Sequence, residues 1–460
     1  MDFIRPLLRP LAACAVLSAC SVPSDVPDRM TPQNVTLPAM QSFTRTTVDR
    51  PNRSNTDIAR DFLDLSFRLE SGRALPVLTR FEIPVTLRVL GDPPPTLDGD
   101  LDMLVDRIRR EAQIDITRVN ADVEASITIE VITRRELNRA VPLAACFVVP
   151  RVTSWAEFRR NRRSSLLDWT TLQTRERMAI FMPGDVSPQE VRDCLHEEIA
   201  QALGPLNDLY RLDDSVFNDD NFHTVLTGFD MLMLRATYDE TLQSGMTRDQ
   251  VAARLPAILD RLNPAGRGRA AVVLDNTPRE WIDAIETALG PRTLPARRRT
   301  AAKRAVAIAL DNGWTDVRLG FAQFALGRLS LGAEPDLALT SFLSAASLFE
   351  SNKPGSIQGA HVAMQLSAFA LSAGDTEVAI AIVNRNIPVV SKSQNAALLA
   401  TLLLVKAEAL ELEGKSEDAA IVRGDALGWA RYGFTDEAEV RKRLNEIRQI
   451  SPAARPGGDT

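Results

Sequence analysis

The spacing of apolar residues divides the chain into a front part of mixed structure and a rear part that is almost entirely helical. In the front part, apolar residues first recur every three or four positions, the period of a helix with one buried face, at Ile58, Phe62, Leu65 and Leu69. A second set with this period follows the prolines at 93–95 and comprises Leu101, Leu104, Val105 and Ile108. We therefore predict one helix that begins near residue 55 and another after the proline run.

Alternating or continuous apolar runs predict strands around these two helices. The clearest run alternates strictly with other residues, which is typical of a half-buried strand, and consists of Phe81, Ile83, Val85, Leu87 and Val89. Shorter apolar runs at 114–117, 127–132 and 178–182 predict further strands, and a helix containing Cys194 follows the last of them. This order of elements predicts an α+β domain.

The rear part, from about residue 305 to 450, is rich in Ala and Leu and repeats itself. A pattern Ala-x-x-Leu-x-x-Gly ends at Gly374, recurs with one extra residue before Gly414, and has an earlier, weaker copy at Gly332. These glycines are 42 and 40 residues apart, a spacing that suits helical hairpins joined by glycine turns. The pattern resembles tetratricopeptide-type repeats, with an ordinary helical bundle as the alternative. Stacked hairpins form a groove that suits a protein or peptide partner.

Composition sets the number of domains and excludes one class of partner. With 460 residues, 45% of them apolar, the chain is long enough for two or three domains that each bury a core. Its net charge of −6 is far from the basic balance of a nucleic-acid-binding surface, so we predict no nucleic-acid partner. A basic run at 297–304 is typical of a solvated helix end; contact with anionic lipid headgroups or with the acidic first domain is the alternative.

The N-terminus has the composition of an export signal. Two arginines, Arg5 and Arg9, precede a short apolar run that ends in Leu17-Ser18-Ala19-Cys20. This ending resembles a bacterial lipoprotein signal, which implies cleavage before Cys20, a lipid on its thiol and a location in the cell envelope, facing the periplasm. By the same resemblance, Ser21 favours the outer membrane. An ordinary signal peptide is the alternative.

Removal of the signal and acylation of Cys20 would leave Cys146 and Cys194 as the remaining thiols. In an oxidising periplasm such a pair usually bonds, and we predict a disulfide between them, with two buried free cysteines as the alternative. The expected organisation is then 1–19 signal peptide, 20–55 lipidated cysteine and disordered tether, 56–262 first domain, 263–304 helical linker, 305–450 helical repeats and 451–460 disordered tail.

Polar residues around Cys194 follow a known spacing. Glu197, Glu198, Gln201, Gly204 and Asn207 stand at positions of H-E-x-x-H-x-x-G-x-x-H, and Asp208 follows. The stretch resembles the zinc helix of metzincin proteases. In that register Glu198 is the general base and Gly204 the turn, whereas the three histidine ligands are replaced by Glu197, Gln201 and Asn207. An amphipathic helix with a solvated acidic face is the alternative.

A second stretch resembles the segment that follows this helix in matrixin-type metzincins. It reads Ser215-Val216-Phe217, then Leu226-Thr227-Gly228-Phe229-Asp230, with Phe217 in place of the usual methionine of the turn. Thr227 and Asp230 also form a sound helix cap. Together with Cys194-x-x-Glu197-Glu198, these residues also resemble domain of unknown function 2927, over roughly 56–262, a family that implies no established activity. The expected fold is therefore an α+β, metzincin-like domain followed by an all-α repeat domain.

The chemistry of these residues favours binding over catalysis. Zinc prefers imidazole, thiolate or carboxylate ligands, and the three histidines, His196, His223 and His361, do not have the spacing of a ligand set. We predict no metal and no cofactor, and a candidate cleft of Glu197, Gln201, Asn207 and Asp208. The expected function is an envelope-anchored, non-catalytic module that binds an extended peptide along a strand edge and an envelope protein or peptide through the repeats. An active metal-dependent peptidase using Glu198 is the alternative.

Overall fold

The computed structural model describes residues 37–44, 50–272, 274–290 and 293–452. Residues 1–36 are not among them, so the signal peptide and Cys20 lie outside the described residues. Within the described part of the chain, no helix combines the length and apolarity that crossing a membrane requires.

The front region, as predicted, mixes helices with strands. Its elements in chain order are α1 Asn55–Ser66, β1 Val85–Gly91, α2 Leu97–Arg107, β2 Ile116–Arg118, β3 Ile127–Ile132, α3 Arg134–Ala140, β4 Phe147–Pro150, α4 Trp155–Asn161, β5 Met178–Pro183, α5 Pro188–Leu203, α6 Gly228–Thr237, α7 Arg248–Ala252 and α8 Leu255–Leu262. One π-helical turn, Ile108–Ala112, extends α2, and short 3₁₀ turns occupy Ser165–Leu167, Trp169–Thr171 and Pro264–Gly266.

The strands form one mixed sheet of five strands in the order β2-β1-β3-β5-β4. Neighbouring strands are parallel except β4, which lies antiparallel to β5 at one edge. The run at 81–89 becomes a strand only from Val85 onward, because Pro84 has no amide hydrogen with which to pair. Strand β4 was not predicted, since four residues ending in proline are too few to show alternation.

Helices cover both faces of the sheet and create two apolar clusters. The larger cluster joins one face to α1, α2, α5 and α6. The smaller cluster, on the other face, is mainly aromatic and contains Phe147, Trp155, Phe158 and Phe181, with ring centroids 5.1 to 6.3 Å apart. Helix α5 packs against the sheet on one side and against α2, α6 and α16 on others. Its polar side chains are therefore largely buried.

The rear region is all-helical, as predicted. Its helices are α9 Arg279–Leu289, α10 Pro295–Asp311, α11 Val317–Ser330, α12 Pro335–Asn352, α13 Ile357–Ala373, α14 Thr376–Lys392, α15 Ala396–Leu412, α16 Ser416–Gly433 and α17 Glu437–Ile450. Gly374 and Gly414 end α13 and α15 with φ values of +81° and +75°, a conformation that glycine adopts without strain. The predicted glycine turns are present at both positions.

The boundary predicted at residue 305 falls inside α10, so the helical region begins earlier than expected. Helix α10 packs against α9 on one side and α11 on the other. The basic run, predicted to be a solvated helix end, occupies the first half of α10, and its side chains are exposed or partly exposed. There Arg298 donates to the carbonyl of Ala288 at the end of α9, and Lys303 pairs with Glu334 at 2.9 Å.

The front and rear regions pack closely against each other. Phe222, from the loop between α5 and α6, is 3% exposed, and its ring lies 5.4 to 5.7 Å from the rings of Phe321 and Phe324 in α11. The Tyr432 hydroxyl of α16 donates to Asp100 of α2 at 2.7 Å.

Residues 37–44, which the sequence placed in the disordered tether, lie along α16. The amide of Gln41 donates to the carbonyl of Gly428 at 3.0 Å, and the Arg431 side chain donates to the carbonyl of Pro38 at 2.7 Å. The ring of Phe43 stacks on Trp429 at 4.5 Å. An aromatic side chain and backbone hydrogen bonds thus fix a segment whose polar composition had suggested a free chain.

Candidate functional site

Helix α5 is the centre of the predicted site, and local sequence explains where it begins and ends. The Ser187 hydroxyl accepts a hydrogen bond from the Glu190 amide at 3.1 Å, and Pro188 occupies the first turn, where its missing N–H costs nothing. The helix ends at Gly204, where a Cβ atom would lie 3.2 Å from the Thr237 hydroxyl of α6. Gly204 thus permits close contact between α5 and α6.

The polar side of α5 is buried, which makes the alternative of a solvated acidic face wrong. His196, Glu198 and Gln201 are 3%, 3% and 8% exposed, and only Glu190, Asp193 and Glu197 are partly accessible. The sheet covers one side of the helix, while the loop after α5 and the rear helices cover the rest. The periodicity of apolar residues could not indicate this, because the covering elements are distant in sequence.

The predicted disulfide between Cys146 and Cys194 is present. It joins the residue before β4 to the second turn of α5, so the edge strand of the sheet is bonded covalently to the central helix. The bond closes a segment that contains β4, α4 and β5.

Glu198, the predicted general-base position, is buried one turn after the disulfide. Its Oε2 atom has no hydrogen-bond partner among the described residues. Burial is the main cause that raises the pKa of this carboxyl well above its ordinary value, Glu197 and Glu70 raise it further, and the backbone amide of Val148 in β4 opposes them. The protonated form of this carboxyl is therefore favoured more than in an exposed glutamate, and in that form it can act as a hydrogen-bond donor.

Glu197 and Asp208, two residues of the predicted cleft, lie close enough for the charge of Glu197 to raise the pKa of Asp208, and two carboxylates that sequence reasoning missed lie near them. Glu70, after α1, shares a hydrogen bond with Asp208, and Asp219 lies close enough to both predicted residues to raise their pKa values. Burial first, then Asp219 and Glu70, raise the pKa of Glu197 to about 8. We call these four residues the acidic cluster.

Gln201 and Asn207, the other two cleft residues, are occupied with structural contacts. The side-chain amide of Asn207 donates to the backbone carbonyl of Asp64 in α1 at 3.0 Å. The backbone carbonyl of Gln201 accepts from the buried guanidinium of Arg175 at 2.5 Å. Within the part of the chain that the structure describes, no group of three or more His, Cys, Asp or Glu side chains is placed to hold a metal ion.

Two of the three histidines make defined contacts within the fold. Nδ1 of His196 accepts a hydrogen bond from the Leu226 amide at 3.1 Å. The His361 ring lies 4.8 Å from the Phe222 ring, where burial is the main cause that lowers its pKa to about 3. Burial also lowers the pKa of His223 to about 4. Both rings are therefore neutral in the folded protein at pH 7.

The segment after α5 is held by Asp230, at the third position of α6. Its carboxylate accepts hydrogen bonds from the Ser215 hydroxyl at 2.5 Å, the Val216 amide at 3.2 Å and the Thr227 amide at 2.7 Å. Thr227 and Asp230 form the expected capping box. Phe217 is fully buried, so the turn contributes its apolar side chain to the core.

Fold and site together define a mixed α/β domain with a long buried helix against its sheet, followed by a helical region. Residues 55–257 match the family described as "Protein of unknown function (DUF2927)", close to the predicted span, and the chain therefore contains a DUF2927 domain. No curated protein matches the chain, and neither does any solved structure.

Proposed function

We propose that this protein is a lipid-anchored protein of the bacterial envelope that binds a protein or peptide partner through its helical region. The observation that supports this most is the exposure of α13. Helices α13 and α15 both contain 17 residues and both are rich in Ala and Leu. Yet 13 residues of α15 are buried and only six of α13 are. An apolar helix that keeps so much of its surface accessible is typical of an interaction site.

The accessible residues of α13 include one continuous stripe. Ala363, Leu366 and Ala370 follow each other at helical spacing, and all three are partly exposed. Helix α13 packs against α12, α14, α15 and α17 and is the first helix of the middle hairpin, and first helices commonly line the binding groove of stacked hairpins.

The strand edges are less suited to bind a peptide than we expected. Edge strand β4 has four residues and ends in Pro150, and the opposite edge strand, β2, has three. Short strands and proline offer few free backbone groups for strand addition. The helical region therefore carries the proposed partner, and the front domain is a non-catalytic scaffold.

The proposal is tested by capture from solubilised envelopes. With full-length tagged protein, Leu366→Asp should abolish co-purification of a specific partner, because it places a charge within the stripe. The matched control is Ile421→Asp on α16, whose side chain is already 71% exposed; it should retain the partner. Equal retention by the two variants, or no specific partner with the wild-type protein, would contradict the proposal.

The metzincin-like character of the front domain belongs to the same proposal. Three features support it: a long helix lies against a mixed sheet, it ends at Gly204, and a capped helix follows the turn at 215–217. The alternative is an active metal-dependent peptidase, and the burial of Glu198 with one unpartnered oxygen favours it. Near-stoichiometric zinc in the purified protein, with peptide cleavage lost in Glu198→Gln, would establish that alternative.

The envelope location rests on the Leu17-Ser18-Ala19-Cys20 pattern and on a disulfide that suits an oxidising compartment. Metabolic labelling with a palmitate analogue should label the wild-type protein and not Cys20→Ser. Label on both proteins, or on neither, would refute the lipid anchor.

A further inference from the structure

A cavity of about 510 Å³ lies beside the N-terminal half of α5 and does not include the acidic cluster. Its wall comes from α2, the π-helical turn, α5 and Thr44, and most of its side chains are charged or polar. Nothing in the metzincin-like register assigns a role to this cavity. Arg107, Arg110, Arg192 and His196 are its basic members.

Two of these arginines are buried with unused donors. Arg192, 4% exposed, is bonded to the Gln394 side chain, but its Nε and Nη1 atoms have no hydrogen-bond partner among the described residues. Arg107, also 4% exposed, donates to Glu111 and to the carbonyl of Leu226 at 2.6 Å, and its Nη2 atom has no partner there. A buried cation with unpaired donors costs free energy. These three nitrogen atoms have almost no exposed surface, so an acceptor in the cavity reaches them only when the two side chains turn toward it.

His196 adds a neutral donor. Its pKa is lowered well below the ordinary value by burial first, then by Arg192 and Arg107, so the ring carries one proton. Because Nδ1 accepts from the Leu226 amide, that proton resides on Nε2. The ring therefore offers an N–H group close to both guanidinium groups.

The π-helical turn places Arg110 and Glu111 on the cavity wall. Such turns interrupt a helix at a cost in hydrogen-bond geometry and are frequent at functional sites. Here the turn lets Arg107 and Glu111 pair at 3.0 Å, while Arg110 remains exposed at the cavity rim. Its neighbour Arg109 is equally exposed but does not line the cavity.

The acidic residues on the same wall restrict the charge of a ligand. Glu111 is paired with Arg107, and Asp100 accepts from Tyr432 and lies 4.0 Å from Arg192, while Asp106 is exposed. Three carboxylates face three arginines, so the wall has no net charge when all six groups are ionised, which disfavours a multiply charged phosphate. A singly charged, planar group fits the fork of a guanidinium.

We infer that this cavity, lined by Arg107, Arg192 and His196, is a binding site for the carboxylate group of a small molecule or of a peptide end. The carboxylate oxygens accept the unused arginine N–H groups, and Arg110 attracts the ligand at the rim. This site is separate from the α13 stripe and does not depend on the function proposed for it.

The test uses the full chain and three probes, sodium acetate, inorganic phosphate and sodium chloride, at pH 7 and constant ionic strength. Isothermal titration calorimetry should show one acetate site with a dissociation constant of roughly millimolar order, as expected for a ligand of so few atoms. Arg110→Ala should weaken acetate binding about three- to tenfold, because it removes a charge at a partly solvated rim. The matched control, Arg109→Ala, should leave the affinity unchanged.

A buried substitution tests the wall itself. Arg192→Lys keeps the charge but loses the planar guanidinium group, so acetate affinity should fall at least tenfold. Circular dichroism shows whether this variant is folded. If it is not, the comparison of Arg110→Ala with Arg109→Ala tests the site. Absence of acetate binding, or equal effects of the Arg110 and Arg109 variants, overturns the site. Tighter binding of phosphate than of acetate through the same residues overturns the assignment to a carboxylate.

Discussion

Reduction of the Cys146–Cys194 disulfide should weaken one edge of the sheet much more than the rest of the protein. The two cysteines are 48 residues apart, and the chain-entropy treatment of a loop of this length assigns about 4 kcal/mol to the cross-link. The segment that it closes contains β4 and β5. Because β4 has only four residues and pairs on one side, this edge strand has few other contacts that would compensate, whereas β5 is buried and pairs on both sides.

Hydrogen exchange followed by mass spectrometry measures this loss locally. Peptides from β4 and β5 should lose up to about a thousandfold of their protection on reduction, the factor that corresponds to about 4 kcal/mol. Peptides from α15 beyond its first turn, which bonds to Gln189 of α5, are deeply buried, serve as the internal control and should not change. The double variant Cys146→Ala/Cys194→Ala should reproduce the reduced protein.

A small effect would refute the reasoning. If protection of β4 and β5 falls less than tenfold while α15 is unaffected, the cross-link does not limit opening of this edge. Equal loss in β4, β5 and α15 would show instead that the bond acts on global stability.

Four further substitutions test the acidic cluster and the packing of the helical region. The pKa of Glu197 is about 8 in the folded protein, above its ordinary value, so its contribution to stability is favourable at low pH and is lost as pH rises from about 4.5 to about 8. Glu197→Gln should therefore raise the free energy of unfolding, measured in urea, by about 1–3 kcal/mol at pH 8 and little at pH 5. An effect that does not depend on pH would contradict this. Phe222→Ala should cost about 3–5 kcal/mol, seen as a lower and broader thermal transition, and an unchanged transition would show that this ring does not couple the two regions. Gly327→Ala should destabilise the protein by about 1–3 kcal/mol, because the new Cβ would lie 2.7 Å from the Phe342 ring. Gly424→Ala in α16, which has open space around it, should stabilise the protein by up to about 1 kcal/mol. If both variants shift the melting temperature in the same direction, the close helix crossing is refuted.

Much of the backbone could be predicted from local patterns. Strand alternation located most of the sheet, and glycine spacing located the turns at Gly374 and Gly414. Local patterns were insufficient where an element was short, as for β4, or where a polar composition was taken as a sign of disorder, as for residues 37–44. In each case packing against a distant element, rather than propensity, decided the outcome.

The candidate site was predictable only in part. The spacing of polar residues from Glu197 to Asp208 placed these two residues in one candidate cleft. It did not indicate that Glu70 and Asp219 would lie near them, because these two residues belong to loops outside α5. The same reason hides Arg107 from sequence reasoning. Its partners are Glu111 in a π-helical turn, a conformation that apolar spacing does not reveal, and a backbone carbonyl more than a hundred residues away.

The segment at 37–44 has a mechanical consequence. If the lipid is carried by Cys20, only the residues between it and Leu37 separate the membrane from a strap bonded along α16, a contour of at most about 60 Å. The helical region must then stay within that reach of the bilayer. A pull on the anchor would load the hydrogen bonds between this strap and α16 before it strained the sheet.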